Sequence, residues 1–199
     1  MCIRDRFEKY WEVFYNLDFN HSHSLYKEKL YDLIYDSVKH HTISDVPLGS
    51  YVSGGVDSGI IASVASKLKE NNDAIVGFTG KFSMGELFDE SYYAEKLAES
   101  SNFHLYQKDI TSQDFTDSIE NIIYHLDYPV AGPGSFPQYQ VSKLASKYRK
   151  VVLGGQGGDE IFGGYTRYLI AYFEQCIKGA IDNTLNDGNF VVTYESIIP

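Results

Sequence analysis

The sequence has few cysteines, an excess of acid over base, and no long apolar run. Its two cysteines, Cys2 and Cys176, stand far apart, which excludes a disulfide framework and a cysteine-based zinc site. With 17 Lys and Arg against 27 Asp and Glu, the net charge of −10 leaves no broad basic face for nucleic acid. No segment reads as a signal peptide or is apolar enough to cross a membrane, so the cytoplasm is the default compartment.

What is present is typical of a folded domain. Hydrophobic residues make up 43% of the chain and aromatic residues 15%, including 17 Tyr and 12 Phe, whereas disordered chains are poor in aromatics. A length of 199 residues is sufficient for one domain with a substantial core and a small appendage.

Short apolar runs alternate with helical patterns along the chain. The apolar runs predict strands at 48–52, 74–79, 103–108 and 150–153. Helical spacing predicts helices at 25–41, 60–68, 91–101, 112–126, 136–148 and 160–180, the last interrupted at Gly163-Gly164. Thr111 with Asp114 predicts a capping box. The alternation predicts an α/β fold, a doubly wound parallel sheet with helices on both faces, whose ligands bind at the carboxyl ends of the strands.

The first of two glycine motifs follows the first predicted strand and reads Ser-Gly-Gly-Val-Asp-Ser from Ser53. Gly54 and Gly55 lack a Cβ, so their N–H groups can face an anion at close range. Ser53 and Ser58 can donate hydrogen bonds to phosphate oxygens. Asp57 would repel phosphate unless a cation lay between them, which indicates Mg²⁺. The motif lacks the lysine of a Walker loop, and its alternative interpretation is a capped strand-to-helix turn.

The second motif, Gly-Gly-Gln-Gly-Gly-Asp-Glu at 154–160, follows the last predicted strand. Asp159 is a second candidate Mg²⁺ ligand, and Glu160 could orient that ligand or a bound water. Alone, this segment would be interpreted as a flexible turn with a helix-capping Asp. Because both motifs follow strands of one parallel sheet, we expect them to share one crevice and to form a divided site for a Mg-nucleotide.

Three segments resemble a known family. Ser-Gly-Gly-x-Asp-Ser is similar to the pyrophosphate loop of the ATP-pyrophosphatases, which cleave ATP between the α- and β-phosphates. Residues 155–168, Gly-Gln-Gly-Gly-Asp-Glu-Ile-Phe-Gly-Gly-Tyr-Thr-Arg-Tyr, resemble the signature of the asparagine synthetase family. Phe-Asp-Glu-Ser at 88–91, followed by Tyr93-Ala94, resembles a further segment of that family. The likeness runs from about residue 25 to at least 170 and implies an adenine nucleotide alpha-hydrolase-like fold.

The resemblance implies a reaction. ATP would adenylate the side-chain carboxylate of aspartate with release of pyrophosphate, and ammonia would then displace AMP to give asparagine. ATP and Mg²⁺ are the implied cofactors, and a glutaminase domain is expected in the full-length protein. No nucleic-acid or membrane partner is expected, and a homodimer is left open. The implied parts are an N-terminal remnant or linker at 1–24, the synthetase domain at 25–180, and the start of an incomplete helical C-terminal region at 181–199.

The resemblance also assigns roles to residues. Five would hold the pyrophosphate and its metal: Ser53, Gly54, Gly55, Asp57 and Ser58. Val52 and Gly80 would line the adenosine pocket, which Gly154 and Gly155 would close. Asp57 and Asp159 would bind Mg²⁺. The catalytic candidates are Gln156, as an orienting residue, and Glu160.

The chain departs from the family in three ways. Many members have Glu at the position of Gln156, and Gln can hydrogen-bond but cannot act as a base. Full-length members begin with a glutaminase whose exposed cysteine is followed by Gly, whereas Ile3 follows Cys2 and only about fifty residues precede the first motif. The family's pyrophosphate lysine has no clear counterpart, and Lys178 is too close to the second motif.

Three alternatives are therefore kept beside asparagine formation. A related amidotransferase or lactam-forming synthetase would share both motifs and adenylate a different carboxylate, with residues 131–137 shaping the acceptor pocket. A truncated nucleotide-binding module would retain the motifs without turnover. A tRNA-modifying ligase is disfavoured by the acidic balance and the absence of a cysteine pair near the site.

Overall fold

The computed structural model describes residues 8–10, 20–69, 74–83, 89–127 and 134–181. The chain divides into two compact units, residues 1–37 and 38–199, with the boundary inside the first helix. The elements in chain order are α1 His23–His41, β1 Leu48–Tyr51, α2 Val56–Leu68, β2 Val76–Lys81, α3 Ser91–Ser100, β3 His104–Asp109, α4 Ser112–Leu126, α5 Ser135–Ala145, β4 Val151–Leu153, α6 Gly158–Phe162 and α7 Thr166–Ile181.

The four described strands form one parallel sheet in the order β3-β2-β1-β4. Gly49 of β1 pairs with Val76 of β2 on one side and with Val152 of β4 on the other. The chain thus adds strands in one direction from β1 to β3 and then crosses back to place β4 on the far side of β1. This reversal is the topological switch point of a doubly wound sheet, and it lies between β1 and β4.

Helices cover the sheet in two pairs. Helices α2 and α3 pack against each other and against β1, β2 and β3, whereas α4 packs on α5, which packs on β2 and β3. Crossovers between parallel strands are right-handed as a rule, and the direction of strand addition reverses after β3, so the helices of the first two connections belong on one face and those of the β3-to-β4 connection on the other. The predicted doubly wound parallel sheet with helices on both faces is confirmed.

The core of the second unit centres on Phe78 of β2, which is fully buried. Phe78 packs with Val76, Ile110, Val141 and Ala145, so side chains of β2 and α5 share one apolar cluster. A Cβ on Gly49 would lie 2.6 Å from the Phe78 ring, and the glycine therefore leaves room for the ring beside β1. This cluster fixes the distance between α5 and the sheet next to the carboxyl end of β1.

Two predicted boundaries need correction. Helix α5 begins at Ser135, so Pro137 lies in its first turn, where the missing N–H of proline has no intrahelical partner to lose. The same helix ends at Ala145 and is followed by a turn, not by helix to residue 148. The predicted break at Gly163 is present, because Gly163 has φ 70° and ends α6.

Several expectations lie outside the described residues: Cys2, the Phe88 position, residues 131–133 of the segment expected to shape the acceptor pocket, and the region from 182 onward. In the described ranges, no helix is both long and apolar enough to cross a bilayer.

The capping box predicted at the start of α4 is present. The Thr111 hydroxyl oxygen accepts from the Asp114 N–H at 3.2 Å, and the Thr111 N–H donates to the Asp114 carboxylate at 2.9 Å. Lys108 on β3 donates to the same carboxylate at 2.9 Å. The Lys108 ammonium, together with the Thr111 donors, lowers the pKa of Asp114 from 3.8 to about 2. This carboxylate joins the end of β3 to the beginning of α4.

We expect Asp114→Asn to lower the free energy of unfolding by about 1–2 kcal/mol at about pH 7, because the lowered pKa means that the folded state favours the charged carboxylate. That stabilisation is complete above about pH 5 and is lost as the pH falls toward about 2. Urea unfolding of the parent and of Asp114→Asn at a series of pH values measures the difference in their free energies of unfolding. The difference should shrink on acidification, whereas Asp117→Asn, exposed on the same helix, should show little difference. A pH-independent loss would contradict the ionic origin.

Candidate nucleotide-binding site

Two adjoining cavities open at the carboxyl end of β1. The first, which we call the apolar cavity, has a volume of about 250 Å³. Its walls come from the ends of β1 and β2, from Glu90, and from the first turns of α5. The lining residues are Tyr51, Val52, Ser53, Phe78, Thr79, Gly80, Phe82, Glu90, Gly134, Pro137, Gln138 and Val141. The predominance of aliphatic and aromatic walls suits a flat, weakly polar ring system.

The second, which we call the acidic cavity, has a volume of about 470 Å³ and lies between the two glycine motifs. Three carboxylates reach it, those of Asp57, Asp159 and Glu160. The full lining is Tyr51, Ser53, Gly55, Val56, Asp57, Ser58, Gln138, Gly155, Gln156, Gly157, Asp159, Glu160 and Tyr165. None of these described lining residues carries a positive charge, so a phosphate group entering the cavity requires a cation between itself and the carboxylates.

The first glycine motif is held in its turn by its own hydroxyls. Ser58, only 8% exposed, accepts a hydrogen bond from the Ser53 N–H at 3.1 Å. Its hydroxyl lies 2.9 Å from the Ser53 hydroxyl and 3.2 Å from the Gly55 carbonyl oxygen, which accepts from it. Gly54 has φ +90°, in the region that favours glycine, and a Cβ there would lie 2.6 Å from the Glu90 carbonyl oxygen. The loop is therefore fixed by a buried serine and by a glycine that no other residue can replace without strain.

The two motifs touch directly. A Cβ on Gly155 would lie 2.6 Å from the Ser58 nitrogen and 2.7 Å from the Asp57 carbonyl carbon. A Cβ on Gly158 would meet the Asp57 carboxylate. The second motif thus approaches the backbone of the first to a distance that only glycine permits. Residues about a hundred positions apart in sequence form one site, as the parallel order of β1 and β4 predicts.

Glu160 has a defined partner at the rim of the acidic cavity. The Tyr165 hydroxyl donates to the Glu160 carboxylate at 3.0 Å, and this bond raises the pKa of Tyr165. The guanidinium of Arg167 stacks over the Tyr165 ring at 3.8 Å from the centroid and lies 5.3 Å from that of Tyr168. Aromatic stacking thus holds this arginine against the tyrosine whose hydroxyl donates to Glu160.

The donor set fits Mg²⁺ better than a metal that needs a closed protein cage. In the described part of the chain, no group of three or more His, Cys, Asp and Glu side chains is placed to hold a metal ion. Asp57 and Asp159 nevertheless line one cavity. Mg²⁺ is commonly held by one or two carboxylates and completes its octahedron with substrate phosphates and water. Two carboxylates that line one cavity together with glycines could therefore hold Mg²⁺.

The structure brings most of the predicted site residues together. Val52 and Gly80 line the apolar cavity, Ser53 lines both cavities, and seven residues line the acidic cavity: Gly55, Asp57, Ser58, Gly155, Gln156, Asp159 and Glu160. Gly155 thus lines the acidic cavity and is not among the lining residues of the apolar cavity. Gly54 and Gly154, both within the described residues, line neither cavity. They have steric roles, since a Cβ on Gly154 would meet the Gln156 side chain.

Several lining residues were not among the predicted site residues, and they include Tyr51, Phe78, Gln138 and Tyr165. Tyr51 and Tyr165 are close to the motifs, but the chain has 17 tyrosines and no sequence pattern distinguishes these two from the others. Phe78 lies within the predicted strand 74–79, and no motif marks it as a residue that lines a cavity. Gln138 lies on α5, and only the order of the strands shows that the start of this helix faces the end of β1.

Comparison with known proteins agrees with this architecture, a doubly wound α/β fold with a glycine-lined, acid-bearing crevice at its switch point. The sequence profile described as asparagine synthase matches residues 29–195. The chain therefore belongs to the asparagine synthase family.

Relatives from three organisms illustrate the similarity. Asparagine synthetase [glutamine-hydrolyzing] 1 of Bacillus subtilis is 40% identical over 137 residues, covering 69% of this chain and 21% of the relative. The putative asparagine synthetase [glutamine-hydrolyzing] 2 of Methanocaldococcus jannaschii is 36% identical, and asparagine synthetase B of Escherichia coli 34%; each match covers 70% of this chain and 27% of the relative. The chain therefore spans roughly a quarter of the length of these relatives.

A solved structure, the NH3-dependent NAD synthetase from Campylobacter jejuni in complex with nitrate, superposes with a TM-score of 0.46 and 13% identity. The superposition covers 69% of this chain and 60% of that one.

We expect Gly155→Ala to separate the two motifs, because its Cβ meets backbone atoms, which cannot rotate away. Overpacking of this kind should lower the free energy of unfolding by about 1–3 kcal/mol and should weaken Mg-ATP binding at least tenfold. Calorimetric titration and thermal unfolding measure the two effects. Gly59→Ala is the matched control, since Gly59 lines neither cavity and a Cβ there would make only an ordinary contact, 3.6 Å from a Leu97 methyl group. Equal behaviour of the two variants would show that the motifs do not depend on this close approach.

Proposed function

We propose that this chain carries the ATP-dependent half of asparagine synthesis. It would bind Mg-ATP across the two cavities, adenylate the side-chain carboxylate of aspartate, and pass the acyl-adenylate to ammonia. The observation that carries the proposal is the direct contact of Gly155 with the Asp57–Ser58 backbone. That contact forms one wall of the acidic, glycine-lined cavity, which adjoins the apolar cavity at the switch point. Family membership supports the same assignment.

The nucleotide is assigned to the cavities by their chemistry. The base belongs in the apolar cavity between Val52, Gly80 and Val141. The pyrophosphate belongs against the first motif, where backbone N–H groups at the start of α2 can donate to its oxygens. Asp57 and Asp159 would hold Mg²⁺, which when bound neutralises charge on the leaving pyrophosphate.

The chemical steps follow from this placement. An oxygen of the aspartate side chain attacks the α-phosphorus, and the bond to the bridging oxygen of the β-phosphate breaks, so pyrophosphate leaves. Ammonia then attacks the acyl carbon, and the C–O bond to AMP breaks. Gln156 reaches the acidic cavity from an exposed position and would orient the reacting groups through its amide. Glu160, fixed by Tyr165, would take part as a proton acceptor or by orienting the incoming amine.

The source of ammonia and the acceptor complete the proposal. Relatives are named glutamine-hydrolyzing asparagine synthetases and are about four times as long as the matched region. We propose that a glutaminase domain supplies ammonia in the full-length protein, and that added ammonium replaces it for this chain. A different acceptor carboxylate would use the same steps, and the identity of the amide product distinguishes it.

Mass spectrometry after incubation with Mg-ATP, aspartate and ammonium tests the function. We expect AMP and asparagine in equal amounts, both dependent on aspartate. AMP formed only with another carboxylate would replace the acceptor assignment. Nucleotide binding without AMP under any acceptor would reduce the chain to a binding module.

The metal assignment has its own test. We expect Asp57→Asn to weaken binding of ATP at least tenfold in the presence of Mg²⁺ and to have little effect without it, because the carboxylate acts through the cation. Titration calorimetry with and without Mg²⁺ separates these cases, and thermal unfolding checks that the variant folds. Asp127→Asn, at the C-terminal cap of α4, is the matched control. A Mg²⁺-independent loss would contradict the assignment.

A further inference from the structure

The two cavities share only three of their lining residues, Tyr51, Ser53 and Gln138. We propose that Gln138 binds the ribose hydroxyls of the nucleotide and so determines selection of ribonucleotides, while Tyr51 and Ser142 act as positioning residues for its amide. This inference rests on the proposed Mg-ATP function and adds to it a specificity-determining residue.

A hydrogen-bonded chain connects the shared wall. The Tyr51 hydroxyl at the end of β1 lies 2.9 Å from the Ser142 hydroxyl on α5. The Gln138 side-chain nitrogen donates to that same Ser142 oxygen at 3.3 Å. Gln138 and Ser142 are four residues apart and therefore share one face of the helix. Tyr51 precedes Ser142 by 91 residues in sequence. Its hydroxyl holds the Ser142 hydroxyl in place, and Ser142 in turn holds the Gln138 amide.

Hydrogen-bonding capacity singles out Gln138. The Ser53 hydroxyl already bonds Ser58 and accepts from the Gly55 N–H, so it belongs to the glycine loop. The Tyr51 hydroxyl is engaged with Ser142. The Gln138 amide has two N–H donors and a carbonyl oxygen, and the bond to Ser142 uses one donor. Its remaining donor and its acceptor are available in an exposed side chain that lines both cavities.

The ribose is the group that must lie at this wall. If the base occupies the apolar cavity and the phosphates the acidic one, the sugar connects them past the residues common to both. Sugar hydroxyls that leave water need new hydrogen-bond partners, and an amide can both accept from them and donate to them. A side chain without such groups would leave a hydroxyl unsatisfied, so the amide favours ribose over deoxyribose.

Calorimetric titration of the full chain with Mg-ATP, Mg-2′-deoxyATP and Mg-3′-deoxyATP, without acceptor, tests the proposal. The parent should bind ATP about 3- to 10-fold more tightly than at least one deoxynucleotide, the ratio expected for one neutral hydrogen bond. Methionine is similar to glutamine in length and helix propensity. Gln138→Met should therefore weaken the binding of ATP by that factor and leave the affinity for the deoxynucleotide unchanged. Gln138→Leu provides a second variant, and Gln113→Leu, exposed on α4, should keep the parent's ratio.

Tyr51→Phe separates positioning from folding. It should reduce the ribose preference by a smaller factor than Gln138→Met while leaving the affinity for the deoxynucleotide unchanged. Equal weakening of all three nucleotides by Gln138→Met would overturn the ribose assignment while leaving the Mg-ATP function standing. A parent that binds ATP and both deoxynucleotides equally would overturn it in the same way. A parent that binds no nucleotide would reject both the proposed function and this inference.

Discussion

The candidate site depends on one steric fact, the approach of Gly155 to the backbone at Asp57 and Ser58. A side chain at Gly155 would force the second motif away from the first, and Gly158 has the same relation to the Asp57 carboxylate. The acidic cavity therefore exists because two segments, each of them an ordinary turn by itself, are close enough to share its walls. Charge and hydrogen bonding act on a geometry that van der Waals contact has already set.

The sheet order makes that contact possible. β1 lies between β2 and β4, so the loop after β1 has the β2 end on one side and the β4 end on the other. The β2 side, with Phe78 and Gly80, forms the apolar cavity, and the β4 side, with Gly155 and Asp159, forms the acidic one. A single strand end thus borders two chemically different spaces.

Much of this arrangement could be predicted from sequence, because it depends on local signals. The apolar runs gave four strands close to their observed bounds, the Thr111–Asp114 box fixed the start of α4, and the paired glycine motifs placed Asp57 near Asp159. The Tyr51–Ser142 bond could not be predicted, since it joins positions 91 residues apart and leaves no periodic trace. The start of α5 was predicted one residue late, at Phe136, and Pro137 lies as predicted inside the helix, in a first turn that tolerates proline.

The buried hydroxyl of Ser58 has a consequence for how a ligand would be received. Its bonds to Ser53 and Gly55 order the glycine loop during folding, at the cost of conformational entropy in that step. A phosphate arriving later meets a receptor that is already assembled, so little of its interaction energy is diverted into ordering the chain. Affinity at this loop would thereby be linked to the stability of the fold.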